Sequence, residues 1–151
     1  MAAVAFYHLT RHGADEALPP LLAKTMAAEK RAVVCCDEAR LGQFSTAIWS
    51  RQPESWLPHG VTGRDDEDAA ICPIWLTGDI SSNPNNATFF FLIDGRMPQL
   101  PDEAERVFIL FDGHLDTAVA EARTQWKALG DAGHDLSYWQ QEETGRWTQS
   151  A

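Results

Sequence analysis

Short runs of apolar residues, separated by longer polar or mixed stretches, recur along most of the chain. They are rich in Val, Ile, Phe and Cys, a composition typical of buried strands. The sequence therefore predicts five strands, at residues 4–9, 31–36, 71–76, 88–93 and 107–111.

Helical patterns follow the first two predicted strands. Pro19 and Pro20 suit the first turn of a helix that continues to about residue 30. Asp37 can cap a second helix that ends near Ser50. Pro53 stops that helix, because the residue before a proline is pushed out of helical conformation.

The last third of the chain predicts one more helix and a hairpin. Apolar residues between positions 115 and 129 recur on one helical face, and Gly130 is a plausible C-terminal stop. Residues 134–149 form two polar and aromatic arms around Thr144 and Gly145, which predicts a hairpin or an edge strand. Residues 57–69 and 77–86 lack periodicity and are predicted to be loops.

Strands that alternate with helices predict an α/β fold, because parallel neighbours need a crossover connection that covers one face of the sheet. The expected architecture is a single domain over residues 1–151. It has a mostly parallel sheet with helices on both faces, in three Rossmann-like layers. The turn after the first strand lacks the glycine spacing that brings backbone amides to a pyrophosphate, so no dinucleotide site is expected.

Composition narrows the class of partner. The 151 residues carry 22 Asp and Glu against 12 Lys and Arg, a formal net charge of -10. Strong direct binding of DNA is not expected, since neutralising phosphates requires clustered cations. No run approaches the roughly twenty apolar residues that span a bilayer. Three cysteines without a Cys-x-x-Cys pair and no signal peptide favour reduced thiols in the cytoplasm and no metal site.

Arg11, His12 and Gly13 directly follow the first strand, and this triplet resembles the start of the histidine phosphatase family. In that family the histidine accepts a phosphoryl group, so a small phosphatase is the alternative function. The chemistry also needs a second histidine and another phosphate-binding arginine. His114 could be the second histidine, but no arginine stands beside it. A solvated polar loop is the preferred interpretation.

Two aromatic features remain. Large apolar residues, among them Trp49 and Trp56, occur at the end of the second predicted helix and in the loop after it. The two tryptophans form either a small buried cluster or an exposed anchor for a partner protein. On the third helix, Trp126 lies between Arg123 and Lys127, and Arg123 has no acid three or four positions away. These three residues form either a solvated helix face with a core tryptophan or an anion-recognition site.

Several segments together resemble the chi subunit family of bacterial DNA polymerase III, from near the first residue to near the last. They include FYHL, LPPLLAK, NPNNATFFFLIDG and ERVFILFDG, and the most specific are ESWLPHG and ARTQWKALGDAGH. The resemblance implies an accessory subunit of the replicase with no catalytic residue and no cofactor. The C-terminal extension around Tyr138 and Trp139 continues beyond the best-known members, and no role is assigned to it.

The resemblance also implies two kinds of protein partner. The psi subunit, through which chi joins the clamp loader, is expected at Trp49 and Trp56, as is a helicase that competes for the same surface. The acidic C-terminal tail of single-stranded DNA-binding protein is expected at Arg123, Trp126 and Lys127.

Overall fold

The computed structural model describes residues 2–51, 57–79, 81–93, 100–144 and 146–151. Within these ranges the strands are β1 Ala3–Leu9, β2 Ala32–Cys35, β3 His59–Val61, β4 Ile74–Thr77, β5 Phe89–Ile93, β6 Arg106–Asp112, β7 Asp135–Gln141 and β8 Trp147–Gln149, and the α-helices are α1 Ala14–Ala27, α2 Leu41–Arg51 and α3 Asp116–Asp131. No helix of the described ranges has both the length and the apolar character needed to cross a bilayer.

The strands form one sheet in the order β3-β4-β2-β5-β6-β1-β7-β8. Every described pair of neighbours is parallel except β7 and β8. Leu18 of α1 and Phe44 of α2 pack in the core on one face, together with Tyr7. Trp126 of α3 packs on the other face, against the core that contains Phe6. The predicted α/β fold, with a mostly parallel sheet and helices on both faces, is confirmed.

Coverage of both faces explains why the central strands are continuous apolar runs. All five residues of β5, Phe89–Ile93, are buried, because a strand between two layers of helices has no side exposed to water. Phe91 stacks on Phe108 of β6 with their ring centroids 4.4 Å apart. Strands of this kind can therefore be predicted from composition without any alternation of polar and apolar residues.

The first helix begins earlier than the sequence predicts. α1 starts at Ala14, so Pro19 and Pro20 lie inside the helix and not in its first turn. Asp15 and Glu16 occupy the first turn, where acidic side chains interact favourably with the helix dipole. The prediction was wrong because a proline usually marks the first turn of a helix. Here both prolines lie in the helix interior, where each lacks the backbone N–H that would donate to the preceding turn.

Three other boundaries differ from the prediction. Gly130 lies within α3, and the chain leaves the helix near Gly133, whose φ of 89° belongs to the left-handed region that favours glycine. The stretch 57–69 is not wholly a loop, because it contains β3, a strand too short to show a period. β4 starts at Ile74, and Ile71 ends a 3-10 helix instead.

The C-terminal hairpin is present and joins the main sheet. β7 and β8 pair antiparallel, and β7 lies parallel to β1. Trp139 stacks on Tyr7 of β1 with ring centroids 6.0 Å apart, and Trp147 meets the same ring edge-on at 4.9 Å. The extension around Tyr138 and Trp139 therefore packs against β1 as part of the sheet.

Candidate functional site

The exposed side of α3 carries the basic residues singled out from the sequence. Arg123 and Lys127 are exposed and Trp126 is half-buried. Ala122 and Leu129 are buried against the sheet and fix the rotation of the helix. Among the described residues neither cation forms an ion pair. Two like charges one helical turn apart repel by about 0.2–0.5 kcal/mol, so a bound anion would relieve this repulsion.

The indole of Trp126 is anchored from below by two aromatic rings. Its ring meets Phe6 of β1 edge-on with centroids 5.3 Å apart, and Tyr138 of β7 at 5.8 Å. Part of the Trp126 side chain remains exposed. Trp126 is therefore part of the packing and also part of the surface of α3, and its part in anion recognition stays a prediction.

Sequence reasoning missed two polar residues beneath this surface, His8 and Tyr138. The Nδ1 atom of His8 and the hydroxyl of Tyr138 lie 2.8 Å apart. Burial raises the pKa of Tyr138, and the nearby guanidinium of Arg123 opposes that rise. The pair joins residues 130 positions apart through the pairing of β1 with β7. No local pattern in the sequence signals that contact.

The electrostatic surroundings of His8 keep its imidazole neutral. Burial is the main cause of a lowered pKa, and the electrostatic influence of His114 and Arg123 acts in the same direction. A hydrogen bond with the backbone of Gly113 and the charge of Asp112 act against it. A histidine whose pKa lies below its ordinary value is mostly uncharged at neutral pH.

Trp49 of α2 is 47% exposed, which is unusual for so large an apolar side chain. Its ring packs on His59, the first residue of β3, with centroids 4.7 Å apart. His59 Nδ1 faces the carbonyl of Leu57 at 3.0 Å, and its Nε2 lies 2.8 Å from the hydroxyl of Ser45. The histidine is thus held from both sides and supports the indole. Trp56 lies outside the described residues.

A cavity of about 310 Å³ lies at the carboxyl ends of β1 and β6. Its charged or titratable lining residues are Arg11, His12, Asp15, Arg40, Asp112 and His114. The fold therefore brings together the two histidines and a second arginine that a histidine phosphatase would need. Because Arg40 belongs to a distant segment, its proximity to His114 could not be predicted from the sequence.

The cavity is poorly arranged for phosphoryl transfer. Gln141 Oε1 accepts hydrogen bonds from the backbone N–H groups of Arg11 and His12, which turns its NH₂ group toward His12 Nδ1 at 3.1 Å. The other ring nitrogen, Nε2, lies 3.7 Å from a carboxylate oxygen of Glu16. Both nitrogens of the would-be nucleophile therefore face partners. Asp15 and Asp112 in the lining also repel a phosphate dianion.

Comparison with known proteins adds one finding. A family model described as DNA polymerase III chi subunit, HolC, matches residues 1–137 of the chain. A search of curated proteins found no match. The matched range contains the basic surface of α3 and the exposed Trp49. It ends inside β7, just before Tyr138.

Proposed function

This chain belongs to the DNA polymerase III chi subunit family, an accessory subunit of the replicase, and we propose that it is a non-catalytic adaptor connecting the clamp loader to single-stranded DNA-binding protein. The acidic C-terminal tail of that protein binds at Arg123, Trp126 and Lys127. The psi subunit, or a helicase that competes for the same surface, binds at Trp49 and Trp56. None of the three cysteines, all of them described, is in a disulfide, which is compatible with a cytoplasmic location.

The observation that supports the tail-binding proposal most strongly is the unpaired basic patch in an acidic protein. Arg123 and Lys127 are exposed without an ion pair among the described residues, although the whole chain has a net charge of -10. A carboxylate held by Arg in a partly desolvated site makes a charge-assisted hydrogen bond. The half-buried Trp126 offers an apolar wall for an aromatic residue at the end of the tail.

The separation of the two surfaces supports the adaptor proposal. α2 and α3 pack on opposite faces of the sheet. Trp49 stands near the amino end of β3, where its ring contacts His59. A partner at Trp49 therefore need not touch a peptide bound along α3. Simultaneous binding is the geometric requirement for a protein that links two others.

We expect the isolated protein to be inactive as a phosphatase, because Glu16 lies near Nε2 of His12 and the cavity contains opposing carboxylates. The measurement is hydrolysis of a generic aryl phosphate by wild type and His12→Ala, with peptide binding as the parallel readout. Neither activity nor affinity should change. Hydrolysis by the wild type that disappears in His12→Ala would instead establish the phosphatase function.

Trp49→Ala should abolish capture of psi or of the competing helicase while the protein remains folded. Loss of an aromatic anchor at an interface centre commonly costs about 2 kcal/mol or more. Leu115→Ala is the matched control, because Leu115 is also exposed, at 54%, but lies at the carboxyl ends of the strands. Pull-down with each partner and circular dichroism measure the two effects. Equal capture by both variants would remove Trp49 from the interface.

Arg123→Ala should weaken binding of the acidic tail peptide by about tenfold to a hundredfold, since a charge-assisted hydrogen bond is worth about 1.5–3 kcal/mol. The measurement is titration of a fluorescent peptide copied from the C-terminus of the organism's own single-stranded DNA-binding protein. Binding should weaken with salt, but less steeply than a DNA complex that releases many counterions.

Arg64→Ala is the control for loss of one positive charge. Arg64 follows β3, the strand at one edge of the sheet, whereas α3 leads into β7 near the other edge. That variant should bind the peptide as the wild type does. Equal affinities of wild type and Arg123→Ala, or unchanged binding after deletion of the peptide's terminal residue, would contradict the proposed site.

A further inference from the structure

Tyr138 and His8 lie directly beneath the basic surface of α3. The ring of Tyr138 contacts the indole of Trp126, with centroids 5.8 Å apart. The positive charge of Arg123 acts to lower the pKa of both Tyr138 and His8. A carboxylate bound at Arg123 would therefore interact electrostatically with the hydrogen-bonded pair of His8 and Tyr138. The family model ends at residue 137, so this pair joins a residue inside the matched range to one just beyond it.

The direction of the hydrogen bond between the two residues can be deduced from Gly113. A Cβ atom at that position would collide with Cδ2 and Nε2 of His8, so this edge of the imidazole faces the glycine backbone. The backbone of Gly113 raises the pKa of His8 through a hydrogen bond, as a carbonyl acceptor does, so we assign the ring proton to Nε2, the nitrogen at this edge. Nδ1 then has a free lone pair and accepts from the hydroxyl of Tyr138 at 2.8 Å. The phenolic proton is turned inward.

We propose that His8 and Tyr138 form a proton-coupled part of the tail-binding surface, in which protonation of His8 allows Tyr138 to donate a hydrogen bond to a carboxylate of the bound peptide. One proton enters from solvent and binds to Nδ1. The N–H so formed donates to the phenolic oxygen, and the phenolic proton turns outward. This inference rests on the proposed function of the α3 surface.

The charges around His8 determine the sign of the coupling. The end of β6 contributes Asp112, which favours the charged imidazole, and the β6–α3 connection contributes His114, which opposes it. α3 contributes the guanidinium of Arg123, which also opposes it, and β7 contributes the neutral phenol of Tyr138. A peptide carboxylate neutralises the field of Arg123 and adds a negative charge. Bound peptide therefore favours protonation of His8.

If bound peptide favours protonation of His8, then protonation of His8 must strengthen peptide binding by the same free energy, because the two equilibria are linked. Burial, followed by neighbouring cations, lowers the pKa of His8 in the free protein, and binding should raise it toward its ordinary value. Affinity should consequently increase as pH falls through the ordinary histidine pKa of 6.5 toward the lower pKa of the free protein, since Asp and Glu of the peptide stay ionised around pH 6. Uptake of one proton limits the change to about tenfold per pH unit.

The test is the pH dependence of tail-peptide binding at constant ionic strength. An N-acetylated peptide is titrated into wild type, Tyr138→Phe, His8→Asn and the control His12→Asn. Tyr138→Phe keeps the ring that packs on Trp126 but lacks the hydroxyl. We expect wild type and His12→Asn to bind several-fold more tightly at the acidic end of the range. Tyr138→Phe and His8→Asn should show affinities that barely depend on pH.

A second readout separates this role from a structural one. The imidazole proton resonances of His8, followed by nuclear magnetic resonance as pH is varied, should give a higher pKa with peptide than without it. An unchanged His8 pKa, or equal pH profiles in wild type, Tyr138→Phe and His8→Asn, would overturn the inference. Binding that still depends on Arg123 would in that case leave the proposed function intact. Absence of peptide binding at every pH would refute both.

Discussion

The parallel pairing of β1 with both β6 and β7 is the constraint on which the candidate site depends. β6 and β7 lie on either side of β1, so the chain between them must cross over one face of that strand. α3 is this crossover, and its Trp126 accordingly packs on Phe6 of β1. The residues left on the outer side of the helix, Arg123 and Lys127, are exposed. The basic surface is thus a consequence of strand order.

The same sheet separates the two proposed interfaces. Its central strands are buried on both faces and form a layer between α3 and the pair α1 and α2. Closely packed interiors deform little, so partners bound on opposite faces retain a defined relative position. Trp49 and Trp126 share an arrangement, since each indole is supported by neighbouring rings and keeps part of its surface exposed. This arrangement provides the two separate surfaces that the adaptor proposal requires.

The sequence predicted the elements that local patterns determine. Apolar runs such as residues 88–93 identified the central strands, and the apolar face of α3 identified the helix that carries Arg123. The start of α1 was misplaced because Pro19 and Pro20 normally mark a first turn, and β3 was too short to show alternation. Contacts between distant segments were not predictable. Tyr138 reaches His8, and Gln141 reaches the loop after β1, only because β7 pairs with β1.

The adaptor proposal is tested most directly by observing both interfaces in one sample. Protein labelled with ¹⁵N at its tryptophan indoles is titrated first with the acidic tail peptide and then with the psi subunit. The account predicts that the peptide shifts the Trp126 resonance and leaves that of Trp49 in place. Psi should then shift the Trp49 resonance while the peptide stays bound. Displacement of the peptide by psi, or a Trp126 resonance that does not respond to saturating peptide, would contradict it.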